Sequence, residues 1–309
     1  MLIRIPKRWE IAERDATPEK HYLSRRELLL GAGFLGAEAL AAAAVDPKGL
    51  YPAKKNGAYT LDRPVTDEAA ATGYNNFYEF DPQDKYAPKE LAQKFTISPW
   101  QVEIAGMVDK PKTLDFDDIL KQFPLEERLY RFRCVEAWSM AVPWTGFPLA
   151  NLIKACAPKS DAKFVRFISA KKPKEMPGMV RTPWYPWPYQ EGLRMDEAMH
   201  PLAMVVTGIY GKPLPKQSGA PIRIILPWKY GYKGGKSIVK IEFVKNQPET
   251  FWHQLQSSEY GFYSNVNPSK PHPRWSQSYE KVIPTMERKK TLMYNGYEEV
   301  ASLYDGKEF

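Results

Sequence analysis

The sequence predicts an α+β chain, rich in β-sheet, with mixed sheets and short flanking helices. Short runs of alternating apolar and polar residues recur along it, as half-buried strands require. Proline and glycine, 28 and 19 of the 309 residues, interrupt those runs and leave room for few long helices. Hydrophobic residues make up 43% and aromatics 13%, ample for one large core. A formal charge of +8, from 44 basic and 36 acidic residues, favours an anionic cofactor or partner. The basic residues are not gathered into the dense patch that nucleic-acid binding needs, so no nucleic-acid partner is expected.

Residues 1–44 read as a targeting segment. Ser24-Arg25-Arg26-Glu27-Leu28-Leu29 is a twin-arginine signature, followed by a weakly apolar run broken by Gly31, Gly33, Gly36 and Glu38. That run is too short and too interrupted to span a bilayer comfortably. Ala41 to Ala44 supply the small residues a signal peptidase prefers. The expectation is export to the periplasm, already folded, through the twin-arginine machinery, with cleavage near Ala44. Residues 45–309 then form a single domain.

Residues 45–72 lack periodicity and read as an extended lead-in. Gly73-Tyr74-Asn75-Asn76-Phe77-Tyr78-Glu79-Phe80 has the aromatics and amides of a hairpin edge. Residues 100–106 alternate as a strand, Pro111 marks a turn, and a short helix begins near Leu114 with Asp115 as N-cap. The run 130–140 reads first as a strand, with Tyr130, Phe132 and Cys134 on one face and Arg131 and Arg133 on the other. Two nearby arginines favour a thiolate, the soft ligand of a late-binding metal. A buried cysteine acting as a small hydrophobe is the competing reading.

Leu149, Leu152, Ile153 and Cys156 recur at i, i+3, i+4 and i+7, one face of a helix. That places Cys156 towards the core, with a disulfide to Cys134 as the alternative in an exported protein. A strand is expected at 164–170. Five prolines make 171–190 irregular, and Trp184, Tyr185, Trp187 and Tyr189 within it pack over the core or bind apolar or sulfur-bearing groups. A short helix at 193–199 and strands at 201–210, 222–227 and 236–244 follow. Between the last two strands lies Trp228-Lys229-Tyr230-Gly231-Tyr232-Lys233-Gly234-Gly235-Lys236-Ser237. Glycines there let backbone N–H groups approach a phosphate that Lys or Arg neutralises.

Arg133-Cys134-Val135-Glu136-Ala137-Trp138-Ser139-Met140, with Pro143-Trp144 and Gly146-Phe147-Pro148-Leu149 after it, resembles the molybdenum-ligand segment of the sulfite oxidase family. Within that family it is similar to the bacterial periplasmic methionine sulfoxide reductases, from about Gly73 to Tyr304. The resemblance implies a sulfite oxidase-type molybdopterin-binding fold. It also implies Mo-molybdopterin as cofactor, its molybdenum held by the pterin dithiolene and Cys134. Asn75, Tyr78 and Glu79 match residues that touch the pterin, and Arg223, Gly234, Gly235 and Lys236 match those that hold its phosphate. Ser169 stands where the family has threonine. Ser218 stands where it has an amide or imidazole, which puts that one contact in doubt.

The function so implied is reduction of methionine sulfoxide in oxidised periplasmic proteins, by oxygen-atom transfer to molybdenum. The chain has no haem or nicotinamide pattern, so electrons come from outside, by resemblance from a membrane haem-binding subunit. The nearest rival is a sulfite oxidase-like enzyme acting on a small sulfur oxyanion or another S- or N-oxide. A secreted binding protein with a structural Cys134 is the rival of another class.

Overall fold

A computed structural model describes residues 49–305. The expected targeting segment, 1–44, lies outside the described residues. In chain order the elements are β1 (Lys54–Lys55), α1 (Glu68–Gly73), α2 (Ala87–Leu91), β2 (Gln101–Gly106), β3 (Lys112–Asp115), α3 (Phe116–Gln122), β4 (Glu126–Arg133), β5 (Trp138–Pro148), α4 (Leu149–Cys156) and β6 (Phe164–Ser169). Then come α5 (Pro177–Arg181), β7 (Gln190–Arg194), α6 (Met195–Met199), β8 (Met204–Ile209), β9 (Lys212–Pro213), β10 (Arg223–Ile225), β11 (Ile238–Val244), α7 (Phe251–Leu255), β12 (Tyr279–Val282) and β13 (Glu287–Lys290).

Two mixed sheets result, and the class is α+β as expected. An eight-stranded sheet runs β1-β4-β5-β12-β13, with β8 also on β5 and with β9 and β10 on β8. A five-stranded sheet runs β3-β2-β11-β6-β7. Alternation explains β2, whose Val102 and Ile104 are buried while Gln101 and Glu103 are exposed. The near-continuous apolar run of β8 is buried at every position, as a strand covered on both faces must be. The α4 stripe of Leu149, Leu152, Ile153 and Cys156 is buried as its spacing predicts.

Several expectations need correcting. Cys134 is not in a strand: β4 ends at Arg133, and Cys134 opens the turn into β5, where Ala137 has φ 62°. Asp115 precedes α3, but its side chain makes no cap; it accepts from Gln101 Nε2 at 2.9 Å instead. Gly73 ends α1, and residues 74–80 form an irregular stretch and turn rather than a hairpin edge. Leu193 and Arg194 belong to β7, not to the following helix. Residues 171–190 contain the short helix α5, which Pro177 opens from its first turn, where the missing N–H costs nothing. The lead-in carries α1, capped by Asp67, whose carboxylate accepts from Ala70 N at 3.1 Å. Cys134 and Cys156 are both free, so the alternative of a disulfide falls.

Two fully buried ion pairs fasten the phosphate-type loop to the smaller sheet and to α6. Lys233 Nζ donates to Glu191 Oε2 at 2.7 Å. Lys229 Nζ donates to Glu197 Oε1 at 2.5 Å and to Asn265 Oδ1 at 2.8 Å. Tyr304 Oη also donates to Glu197 Oε1, at 2.6 Å. Lys229 and Lys233 are therefore structural anchors of this loop.

Candidate cofactor cleft and its cysteine

One cleft gathers residues from the turn at 74–79, the β4–β5 turn and the loops on either side of β10. The loop 226–237 runs from β10 of the larger sheet to β11 of the smaller, so the cleft lies where the sheets adjoin. Of the residues expected from the sequence, Asn75, Tyr78, Glu79, Cys134, Ser218, Arg223, Gly234 and Lys236 line it together. Ser169 and Gly235 do not line it. They sit behind the loop, Ser169 Oγ lying 4.0 Å from where a Cβ on Gly235 would fall.

Cys134 is held from every side. Its backbone N–H donates to Trp138 O at 2.9 Å. Its carbonyl accepts from Arg133 Nη1, and the next carbonyl, of Val135, accepts from Trp275 Nε1 at 2.7 Å and Gln277 Nε2 at 2.8 Å. Its sulfur accepts from Glu136 N at 3.4 Å and from Asn76 Nδ2 at 3.5 Å. Arg133 does not serve the sulfur. Its side chain is wholly buried behind the turn, with Nε 3.3 Å from Glu280 Oε2. Burial and the Glu136 carboxylate push the Cys134 thiol up to about 12. The neighbouring Arg133 does pull towards the thiolate as expected, but desolvation outweighs it. A cation at the sulfur would displace that proton.

At the mouth, Glu136 accepts from Asn76 Nδ2 at 3.0 Å and from Lys85 Nζ at 2.9 Å. Burial raises its pKa, but those two donors outweigh burial and hold it below the usual carboxylate range. At the far end, burial lowers the Arg223 guanidinium to about 9, and its Nε and Nη2 have no partner. Ser218 Oγ, Ser169 Oγ and Trp144 Nε1 are likewise buried and unpartnered. Lys236 is buried too: its Nζ donates to Asn76 O, and burial lowers its pKa against the pull of Glu79.

Orphaned buried donors on this scale are costly unless a ligand satisfies them. Here they are a guanidinium, two hydroxyls and an indole N–H, and glycines bring backbone alongside. A Cβ on Gly234 would lie 2.3 Å from Ile224 O, and Gly219, with φ 101°, packs directly on Lys236. An anionic, phosphate-bearing ligand with a soft metal at the cysteine end fits this donor set.

Comparison with known proteins agrees. The model of the oxidoreductase molybdopterin binding domain matches residues 89–252. The protein-methionine-sulfoxide reductase catalytic subunit MsrP of Ralstonia nicotianae is 48% identical, over 100% of this chain and 98% of that one.

The chain belongs to the MsrP family.

The MsrP of Xanthomonas campestris pv. campestris is likewise 48% identical, over 95% of each chain. The solved sulfane dehydrogenase SoxCD from Paracoccus pantotrophus aligns with 50% of this chain and 40% of that one, at 18% identity and a TM-score of 0.42, too slight a likeness to bear on function.

Set against this MsrP family member's cleft, sequence reasoning missed Asn76, Lys85 and Glu136, which ring the sulfur. Asn76 and Glu136 lay inside the quoted motifs, but nothing in residue order shows that their side chains turn towards the Cys134 sulfur. Lys85 carries no local signal. It reaches Glu136 only because the turn at 74–79 folds back, with Asn75 N donating to Lys85 O at 2.7 Å.

Proposed function

We propose that this protein is an exported molybdenum oxidoreductase that reduces methionine sulfoxide in oxidised periplasmic proteins. The observation that carries the reading is one cleft with a lone buried cysteine at one end and unpaired buried donors of Arg223 and Ser218 at the other. Full-length likeness to protein-methionine-sulfoxide reductase catalytic subunits supports the reaction. Cys134 is the protein ligand to molybdenum. Arg223, Lys236, Ser218 and the backbone at Gly234 hold the pterin phosphate, Asn75, Tyr78 and Glu79 complete its surroundings, and Gly235 and Ser169 back the loop from outside the cleft. When bound, the molybdenum centre supplies the two-electron reduction of sulfoxide to thioether.

The protein's own contribution is positioning and water exclusion. Asn76 bridges the sulfur and Glu136, fixing both. Aromatic walls from Phe132, Trp138, Trp144 and Trp252 shut out solvent and suit a thioether. Oxidation of sulfite would require the mouth to accept a small dianion, which the ionised Glu136 opposes. Electrons come from a membrane haem-binding subunit of the MsrQ type, and export is by the twin-arginine machinery. The names of the relatives call them catalytic subunits, which fits a separate donor.

The test is turnover of sulfoxide-containing protein by the purified enzyme with a reduced artificial donor. Cys134→Ser should abolish turnover and alter the metal spectrum, because a hydroxyl is a harder and weaker ligand. Cys156→Ala should keep both. Parent-rate turnover by Cys134→Ser, or an unchanged metal spectrum, would overturn the assignment.

A further inference from the structure

The two most exposed aromatic side chains among the described residues stand outside the cleft, and neither is isolated. Trp184 is 71% exposed and Tyr86 66%. Single exposed apolar residues are ordinary, but each of these is the outer rung of a ring ladder that ends on the cleft wall. From Trp184 the ladder passes to Tyr185 at 6.1 Å between centroids, and from Tyr185 to Trp252 at 6.3 Å. From Tyr86 it passes to Tyr74 at 5.4 Å and on to Trp138 at 5.1 Å. Trp252, Tyr74 and Trp138 line the same cleft as Cys134.

The Trp184 ladder stands on a fixed platform. Pro183, Pro186 and Pro188 restrict the backbone, Trp187 Nε1 donates to Thr182 O at 2.9 Å, and Tyr185 N donates to the same carbonyl at 3.1 Å. Little ordering would be lost on binding, which is what an aromatic recognition surface needs.

We infer that these two ladders are the docking track for the polypeptide on either side of the sulfoxide, and that they select extended segments with apolar or aromatic neighbours. The inference rests on the reductase reading and adds to it where, and by what chemistry, a chain-borne substrate is held. Continuity with the cleft decides the occupant. A small sulfoxide inside the cleft meets only the inner rungs, whereas Trp184 lies two rungs beyond the cleft-lining Trp252 and Tyr86 one rung beyond the cleft-lining Tyr74. Only a substrate that continues past its sulfoxide residue reaches them.

The test compares two substrates on holoenzyme with an artificial donor. One is a peptide with methionine sulfoxide flanked by apolar residues, the other is dimethyl sulfoxide. Trp184→Ala and Tyr86→Ala should each raise KM for the peptide about tenfold, the effect of losing one aromatic anchor. The kinetics with dimethyl sulfoxide should not move. Binding of the same peptide carrying methionine sulfone, which is not turned over, should weaken by a similar factor in a titration of holoenzyme. Equal changes for both substrates, or unchanged peptide binding, would overturn the track while leaving the reductase reading intact. A parent enzyme that reduced neither substrate would remove both. Because the peptide assay bypasses the physiological donor, a loss seen only with the membrane subunit would assign the surface to that subunit instead, and so also overturn the track.

Discussion

Arg223 carries an unusual burden: a buried guanidinium with two nitrogens unpaired and its pKa drawn down to about 9 by burial. Arg223→Ala should therefore weaken cofactor retention by about 1.5–3 kcal/mol, the worth of a charged hydrogen bond. It should leave the metal-free protein no less stable, since the unpaired charge is removed with it. Pterin content and unfolding of the metal-free protein, measured together, check both halves. Lys236→Ala should likewise lose pterin, and full occupancy in both variants would refute the phosphate assignment. At this scale the sequence was informative where chemistry is rare. A lone cysteine among arginines and a Gly-Gly-Lys loop stand out by composition. The direction of Arg133 did not, because strand alternation was extended one residue too far: the chain turns at Cys134, and the arginine faces the back of the turn.

The β4–β5 turn is braced from outside its own hairpin. Glu280 of β12 accepts from Arg63 Nη1 at 2.7 Å and Ser139 Oγ at 3.0 Å, and faces the buried Arg133. Glu280→Ala would strand Arg133 without a counter-charge, at a cost of about 3–5 kcal/mol. Denaturant unfolding should register that loss, and cofactor content should fall with it. Glu197→Gln should be costly by the same reasoning, since it uncouples Lys229 from the carboxylate that Tyr304 also grips. Elements with strong local periodicity, such as β2, β6 and α4, were legible. β12 was not: it joins β5 through Lys281 and Val282, a partnership between residues far apart in sequence. β7 was hidden because Gln190–Arg194 has little alternation and takes its strand form from pairing with β6.

For the whole molecule, the α+β class was legible because proline and glycine forbade long helices, and the sheet order was not, because β8 and β12 reach β5 from distant parts of the chain. Among the described residues no helix is long and apolar enough to cross a membrane. If residues 1–44 direct export of folded protein, replacing Arg25 and Arg26 by Lys should strand the precursor in the cytoplasm. Fractionation followed by immunoblotting would detect this, and unchanged periplasmic yield would refute it. The bracing of the cysteine turn also has a consequence in time. Trp275, Gln277 and Glu280, which hold the turn, and Tyr304, which holds the ion pair beside the phosphate-type loop, are all made long after Cys134 leaves the ribosome. Synthesis runs from the N-terminus, so a polypeptide halted before residue 275 has every expected cofactor residue and yet an unbraced turn at Cys134. If Cys134 holds the cofactor, loading should then follow completion of the chain: a truncated product should stay empty, and a filled one would certify that its far end has been made and folded home.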